Sequence, residues 1–365
     1  MAASSSEDRR YTPGLFDQLY DNNLINSQLF NVRKSSYSPS DKYIHLFYDS
    51  KRQISSLSAI PSMSKAGSKM VIVFFHGNSC DLGDCVGRMA TYGYWFKQVI
   101  IGVEYSGYGC CQGTTDQASV IQKAIDTMHY IQNRLNIPLE RVILFGHSIG
   151  CAIALKINTL FNGVFAAIII QSPFFNVKKM TGSSFFSFLF SDDSVFNNGN
   201  EVENMAPHQR LLIIHGQKDE IIPCIHSKEL YERCKLPKTQ KQFWIDIMAS
   251  HNVFDKIKLK LEILYPFILE CEKVYYNERV DKLIQINTQD LCDMSERDPT
   301  LKKIRDDSYL RVQRCPTRNP DGVVWVGADG NCCFSSIDEI SLYNMHGKGD
   351  DDYNLLTMTA KLLLK

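Results

Sequence analysis

Three residues far apart in the sequence have the types and the order that nucleophilic catalysis requires. They are Ser148, Asp219 and His251. A serine hydroxyl becomes a strong nucleophile only when a nearby base takes its proton, and that base needs a third group to orient it. We therefore predict Ser148 as the nucleophile and His251 as the base that takes and later returns the proton. Asp219 would orient the imidazole and stabilise the imidazolium.

Ser148 lies at the centre of a G-x-S-x-G segment, after an apolar run over 142–145 and before a helix-length stretch over 149–161. A sharp strand-to-helix turn of this kind holds the serine on strained backbone and needs small residues at Gly146 and Gly150. The N–H of Ile149 at the helix start would face the same point and stabilise an oxyanion. A chance match is the alternative, but the flanking strand and helix favour the catalytic turn.

Asp219 and His251 each follow a predicted strand, over 211–214 and 242–247. Catalytic groups gather at the carboxyl ends of strands in open α/β sheets, so both residues are well placed to meet Ser148. A solvated loop histidine is the alternative interpretation of His251. Other histidines adjoin the nucleophile, precede a strand or lie too close to the aspartate along the chain; they are His147, His208, His215 and His226.

A second oxyanion donor is expected in the loop after an early strand. The apolar run 70–75 is followed by His76, Gly77 and Asn78. Gly77 permits a tight turn, so the N–H of Asn78 is the candidate donor. We assign no chemistry to His76, because a histidine in such a loop more often bonds a loop carbonyl. The predicted oxyanion hole therefore consists of the N–H groups of Asn78 and Ile149.

Apolar runs of strand length alternate with helix-length stretches along residues 40–270. Such runs suit strands buried on both faces, and the alternation predicts an α/β fold with a mostly parallel central sheet flanked by helices. An early hairpin is predicted over 43–48 and 52–60. The predicted strands are 70–75, 99–103, 142–145, 166–170, 211–214 and 242–247, and the predicted helices are 115–136, 149–161, 226–235 and 252–270.

The composition of the 365-residue chain argues against several classes of partner and site. With 40 basic and 40 acidic residues the formal net charge is zero, so no nucleic-acid partner is expected. The 12 cysteines form no C-x-x-C pair, so we expect no metal site and no cofactor. The start of the sequence has no apolar signal region, and no apolar run reaches the roughly 18 residues of a membrane span. A cytoplasmic protein with free thiols is expected.

Five segments in order resemble the α/β-hydrolase-domain-containing protein 17 family, which is close to the Bem46-like hydrolases. They are His-Gly-Asn-Ser-Cys-Asp-Leu-Gly at 76–83, Glu-Tyr-Ser-Gly-Tyr-Gly at 104–109, Gly-His-Ser-Ile-Gly at 146–150, His-Gly-Gln-Lys-Asp-Glu-Ile-Ile at 215–222 and Tyr-Glu-Arg-Cys at 231–234. The resemblance covers about residues 40–270. It implies the α/β-hydrolase fold and places the family's triad on Ser148, Asp219 and His251.

The resemblance also implies a thioesterase that removes palmitate from cysteines of membrane-attached proteins, so S-acylated proteins are the expected substrates. The G-x-S-x-G segment alone does not distinguish thioesters from oxygen esters or amides, which leaves a carboxylesterase for small lipid esters as an alternative. The sequence departs from the family's N-terminal cysteine cluster, since its first cysteine is Cys80, and Ala2 does not fit an N-myristoylation signal. Peripheral membrane contact is therefore left open. Ala249 and Ser250 replace a glycine-containing turn before the histidine.

The segment 173–206 lies where this fold carries its lid. Two interpretations are open. The segment forms an apolar groove or a membrane-facing surface, or its aromatic rings pack as ordinary core. Its apolar side chains are Phe174, Phe175, Phe185, Phe186, Phe188, Leu189 and Phe190.

The sequence changes character after residue 270. Residues 271–307 are predicted to be helical or linker-like, and 1–39 to be a partly disordered segment. Within 308–365, the segment 329–337 around Cys333 resembles the nucleophile segment of ovarian-tumour (OTU) cysteine proteases, which cleave ubiquitin. Only His346 follows as a base, so we expect a truncated, inactive appendage. The alternative for the whole chain is a non-catalytic binding protein whose OTU-like segment recruits a partner such as ubiquitin.

Overall fold

The computed structural model describes residues 29–37, 45–49, 54–58, 67–111, 113–133, 135–181, 196–277, 279 and 281–284. The chain divides into two units, Met1–Ser308 and Tyr309–Lys365, and every described residue belongs to the first. The OTU-like segment lies outside the described residues. The domain boundaries derived from the sequence therefore stay predictions.

The described strands and helices follow the alternation that the sequence predicts. The strands are β1 (His45–Asp49), β2 (Ile54–Ser58), β3 (Val71–Phe75), β4 (Val99–Val103), β5 (Val142–His147), β6 (Ala167–Gln171), β7 (Arg210–Gly216) and β8 (Lys241–Asp246). The helices are α1 (Leu82–Phe96), α2 (Gln117–Asn133), α3 (Ile149–Leu160), α4 (Val177–Thr181), α5 (Asn198–Glu203), α6 (Ile225–Arg233), α7 (Lys256–Lys258) and α8 (Tyr265–Tyr275). A 3₁₀ turn spans Leu139–Arg141, and a π-helix over Leu259–Leu264 joins α7 to α8.

Six strands form one parallel sheet in the order β4-β3-β5-β6-β7-β8. The strands β1 and β2 pair antiparallel as a separate hairpin. The residues of β3, β4, β5 and β6 are all buried, which explains why they appear in the sequence as unbroken apolar runs. The predicted α/β fold with a parallel central sheet is therefore confirmed.

The side chains of β3 alternate between two cores, one on each face of the sheet. Val71, Val73 and Phe75 pack in a core shared with α2 and α3. Ile72 and Phe74 pack in a second core shared with α1 and α8. The domain therefore has three layers, and the parallel strands place their carboxyl ends along one edge of the sheet.

Helix α1 is missing from the helices predicted from the sequence. Its start carries a capping box, in which the Asp81 carboxylate accepts from the N–H of Asp84 while the Asp84 carboxylate accepts from the N–H of Asp81. Its buried face repeats at helical spacing through Leu82, Cys85, Met89, Tyr92 and Phe96. Both signals are present in the sequence and are sufficient to predict the helix.

The turn between β5 and α3 (residues 146–150) is packed against backbone on two sides. A Cβ added to Gly146 would lie 2.5 Å from the Cα of Cys151 in α3. A Cβ added to Gly150 would lie 2.7 Å from the carbonyl carbon of Phe75, at the end of β3. Real Cβ atoms do not approach so closely, so both positions require glycine.

Alanine at Gly150 and alanine at Gly87 should change stability in opposite directions. In Gly150→Ala the new methyl group overlaps backbone that cannot move aside, and overpacking of this kind costs about 1–3 kcal/mol. In Gly87→Ala the new Cβ meets no atom within 4 Å on helix α1, and replacing a helical glycine stabilises by about 0.5–1 kcal/mol. Urea unfolding measures both free energies, and a stable Gly150→Ala variant would contradict the packing of the turn.

Candidate active site

Ser148 occupies strained backbone at the turn between β5 and α3. Its φ of 54° and ψ of −120° place an L residue in a region that costs about 1–3 kcal/mol. Two backbone hydrogen bonds hold it there, from the N–H of Ser148 to the carbonyl of Gln171 at 2.9 Å and from the N–H of Cys151 to the carbonyl of Ser148 at 3.0 Å. The side chain therefore stands at the carboxyl end of β5.

His251 reaches Ser148 from the loop after β8. Its Nε2 lies 3.1 Å from the Oγ of Ser148, and the imidazole is almost fully buried. The loop approaches β7 so closely that a Cβ on Gly216 would lie 2.5 Å from the carbonyl oxygen of Ala249, so this position requires glycine. The N–H of Lys218 donates to that same carbonyl at 2.9 Å, which fixes the loop beside the end of β7.

The carboxylate of Asp219 accepts hydrogen bonds on both oxygens. Its Oδ2 lies 2.7 Å from Nδ1 of His251, and its Oδ1 accepts the N–H groups of Ile221 at 2.9 Å and Ile222 at 2.7 Å. Burial alone would raise the pKa of this carboxyl. Hydrogen bonds from His215, His251 and the Ile222 backbone outweigh burial and hold the pKa well below its usual range. Asp219 is therefore ionised at neutral pH.

The three side chains form one chain of hydrogen bonds with a defined direction. A carboxylate can only accept, so Nδ1 of His251 carries a proton and donates it to Asp219. The Nε2 lone pair then faces the hydroxyl of Ser148 and accepts its hydrogen bond. The structure thus brings Ser148, His251 and Asp219 together in the arrangement that can transfer a proton from hydroxyl to imidazole.

His215 also contacts Asp219, a contact that the sequence analysis did not foresee. Its Nε2 lies 3.1 Å from Oδ2 of Asp219, and both side chains are fully buried. The position of His215 in the sequence argues against it as the base, because it lies too close to Asp219 along the chain. That closeness, four residues along a strand and its following turn, is what brings the ring to the carboxylate.

Other polar groups near the site have partners of their own. His147 is buried with its Nε2 3.5 Å from the carbonyl of His251, and burial lowers its pKa far below the usual range. His226 accepts the N–H of Phe175 at 3.0 Å, and burial with Lys179 nearby lowers its pKa to about 4. Both rings are therefore neutral at neutral pH.

The loop after β3 lies against the turn that holds Ser148. A Cβ on Gly77 would be 2.8 Å from Nδ1 of His147 and 3.5 Å from the Cβ of Ser148. The N–H of Ile149 stands in the first turn of α3, where backbone donors have no partner within the helix. The roles of the Asn78 and Ile149 N–H groups in an oxyanion hole stay a prediction.

The side chain of Asn78 anchors this loop to residues 29–31. Its Oδ1 accepts from the N–H of Asn31 at 2.8 Å and from the hydroxyl of Tyr108 at 2.7 Å, while its Nδ2 donates to the carbonyl of Leu29 at 2.9 Å. Leu29 and Phe30 are buried in the core beside α2 and α3. Leu29 and Phe30 therefore pack on the core of the domain that carries Ser148.

A buried ion pair supports the same loop. His76 places Nδ1 2.9 Å from the carbonyl of Gly77 and Nε2 2.8 Å from Oε1 of Glu104, and both side chains are fully buried. Burial would lower the pKa of His76, but the Glu104 carboxylate raises it above its ordinary value. Glu104 also accepts from the hydroxyl of Tyr37 and the N–H of Leu82. His76 thus bonds a loop carbonyl, as its sequence position indicates.

Exposed apolar side chains lie on the loops that carry Asp219 and His251, and we call them the apolar rim. Among the residues that the structure describes, twelve large apolar side chains are exposed, and seven of them lie between Ile221 and Ile257. We define the rim as the four most exposed of these, each more than half accessible: Ile221, Ile247, Met248 and Val253. The Nζ of Lys218 lies 3.5 Å from Sδ of Met248 and joins the two loops at this rim.

Of the predicted lid, only part lies within the described residues. Phe174 is buried and Phe175 packs against the same core, which agrees with ordinary packing for these two rings. The remaining apolar side chains, Phe185 to Phe190, lie outside the described residues. Among those that are described, no group of three or more His, Cys, Asp or Glu side chains is arranged to hold a metal ion, and no helix is long and apolar enough to cross a bilayer.

Comparison with known proteins gives relatives of two kinds in sequence. The prolyl oligopeptidase family matches residues 113–273. The alpha/beta hydrolase domain-containing protein 17C of Xenopus tropicalis is 28% identical over 202 residues, which cover 55% of this chain and 62% of that protein. The human protein of the same name is 26% identical over 201 residues and is covered to 58%. The chain thus matches less than two thirds of the length of these relatives.

The solved structure of an esterase, PF2001 of Pyrococcus furiosus, has the same fold. It superimposes with a TM-score of 0.50 at 16% identity and covers 68% of this chain and 99% of its own. The chain therefore has the α/β-hydrolase fold, with proteins named alpha/beta hydrolase domain-containing protein 17 among its relatives.

Proposed function

We propose that this α/β-hydrolase-fold protein, a relative of the alpha/beta hydrolase domain-containing 17 proteins, is a serine hydrolase that works through an acyl-enzyme. One observation carries the proposal, the unbroken hydrogen-bond chain from the hydroxyl of Ser148 through His251 to the ionised Asp219. Along the sequence the three residues occur in the order Ser148, Asp219, His251, which is the order typical of the α/β-hydrolase fold.

The proposed reaction has two halves, acyl transfer to Ser148 and hydrolysis of the acyl-enzyme by water. Nε2 of His251 takes the hydroxyl proton as Oγ attacks the carbonyl carbon, and Asp219 stabilises the imidazolium that forms. The N–H groups of Asn78 and Ile149 would stabilise the negative oxygen of the tetrahedral intermediate. The intermediate collapses with departure of the thiol or alcohol, which receives the proton from His251. A water molecule activated by the same histidine then releases the acid and restores Ser148.

We propose long-chain acyl thioesters on protein cysteines as the substrates. The support is the resemblance of five sequence segments to the α/β-hydrolase-domain-containing protein 17 family, together with the exposed apolar rim on the loops of Asp219 and His251. A thiol leaves as a thiolate with an ordinary pKa of about 8.5, so its departure needs less protonation by His251 than that of an alcohol. A thioester therefore makes modest demands on the acid half of the mechanism.

Peripheral contact with a membrane is part of this proposal, because lipidated proteins lie at membrane surfaces. The rim offers exposed apolar side chains, and three lysines are exposed nearby, Lys218 on the loop of Asp219 and Lys256 and Lys258 on helix α7. Apolar side chains bordered by lysines suit the boundary between acyl chains and anionic headgroups. The carboxylate of the nearby Asp255 accepts the N–H groups of Ile257 and Lys258 at the start of α7.

A fluorophosphonate probe, which reacts with activated serines, tests the nucleophile. We expect the wild type to be labelled and Ser148→Ala to lose all labelling, because among the described residues Ser148 carries the hydroxyl that Nε2 of His251 contacts. Ser119→Ala, which removes the hydroxyl that accepts the N–H of Asp116 at the start of helix α2, serves as the control and should be labelled like the wild type. Equal labelling of wild type and Ser148→Ala would contradict Ser148 as the nucleophile, and absence of labelling of the wild type would favour the non-catalytic alternative.

A series of acyl substrates tests the proposed substrate class. We expect hydrolysis of palmitoyl-thioester peptides, with kcat falling at least about 10⁴-fold in Ser148→Ala and in His251→Ala, as loss of a triad member usually causes. Turnover of short oxygen esters by the same samples gives the comparison. If only the short oxygen esters are hydrolysed, the protein is a carboxylesterase and the thioesterase assignment fails.

Vesicle binding tests the role of the rim. The double variant Met248→Gln/Val253→Thr should bind vesicles containing phosphatidylserine about 5- to 30-fold more weakly than the wild type, which corresponds to about 1–2 kcal/mol of lost apolar burial. Val274→Thr, which changes a side chain on α8 that is also more than half exposed, should bind like the wild type. Co-sedimentation measures the bound fraction, and identical binding by all three proteins would exclude the rim as the contact.

A further inference from the structure

His215 is a buried histidine for which the proposed reaction has no assigned use. Its ring lies on β7 with no exposed surface. Nδ1 lies 2.6 Å from the hydroxyl of Ser227 in α6, and Nε2 lies 2.8 Å from the carbonyl of Ile222 and 3.1 Å from Oδ2 of Asp219. Every polar atom of the ring therefore has a partner.

The partners determine which nitrogen of His215 carries the proton. A carbonyl and a carboxylate both face Nε2 and can only accept, so Nε2 is the donor. The hydroxyl of Ser227 can donate to Nδ1. Neutral His215 thus satisfies all three contacts in a single tautomer.

Oδ2 of Asp219 is therefore shared between two imidazoles. It accepts from Nε2 of His215 on one side and from Nδ1 of His251 on the other, while Oδ1 is held by two backbone N–H groups. The four donors fix the carboxylate in one orientation, since its rotation would break several charge-assisted hydrogen bonds at once. A His215 that cannot donate leaves only His251 on Oδ2.

We propose that His215 is a positioning residue for the hydrolysis, which holds Oδ2 of Asp219 where His251 needs it and shares the charge of that oxygen. This inference rests on the proposed function, because it assumes that His251 is the base. The alternative is a purely structural role, in which His215 only connects β7 to α6 through its hydrogen bond with Ser227.

The two roles differ in their effect on the titration of His251. A donor on Oδ2 withdraws part of its negative charge from His251, so removing that donor strengthens the attraction between Asp219 and the His251 imidazolium and raises the pKa of His251. Further groups face this cluster, namely Glu220 and His147 beside His251, and Cys224 and His226 on the side of His215. A purely structural tie predicts no such change.

Three variants separate the roles in a kinetic experiment. His215→Leu removes the donor at similar volume, and we expect kcat to fall about 10- to 100-fold with little change in KM, while the acid limb of kcat/KM moves to higher pH. His215→Gln places an amide N–H near the position of Nε2 and should recover most of the activity and the original acid limb. His226→Leu removes another buried histidine nearby and should leave the acid limb unchanged.

An NMR titration of His251 in the Ser148→Ala background measures the same effect without any turnover. We expect His215→Leu to raise the midpoint by about half a pH unit or more and His215→Gln to leave it near the parent value. An unchanged midpoint in folded His215→Leu would overturn the positioning role, even if that variant is less stable. Absence of hydrolysis by the wild type, with the midpoint shifted as expected, would instead reject the proposed function.

Discussion

The backbone of Ser148 adopts a conformation that L residues avoid, and the surrounding structure must hold it there. The strain of about 1–3 kcal/mol is offset by packing and hydrogen bonds on every side. Gly146 lets α3 approach β5, Gly150 lets α3 approach the end of β3, and the carbonyl of Gln171 in β6 accepts the N–H of Ser148. Three neighbouring strands and one helix therefore fix the position of a single hydroxyl.

The parallel sheet explains how residues distant in sequence reach that hydroxyl. Asp219 and His251 follow the carboxyl ends of β7 and β8, two strands that pair with each other on the same side of β5. Gly216 allows the two following loops to touch, and backbone N–H groups hold the Asp219 carboxylate. The position of the imidazole is thus set by the strand order and by contacts between the two loops.

The elements that are determined locally were predictable from the sequence, and those determined by tertiary contacts were not. The buried strands and the order of Ser148, Asp219 and His251 follow from apolar runs and motif spacing. The attachment of Asn78 to residues 29–31 and the contact of His215 with Asp219 have no local pattern, because each depends on how single polar groups meet after folding. Helix α1 is absent from the prediction although the sequence contains its signals, a capping box and a periodic apolar face.

The central claim is that Ser148 becomes covalently acylated during turnover. Mass spectrometry of protein mixed briefly with a palmitoyl thioester and quenched in acid tests it directly. We expect one palmitoyl group on the peptide that contains Ser148 and none on the corresponding peptide of Ser148→Ala. An acyl group that persists in Ser148→Ala, or turnover with no acylated protein at any time, would contradict the account.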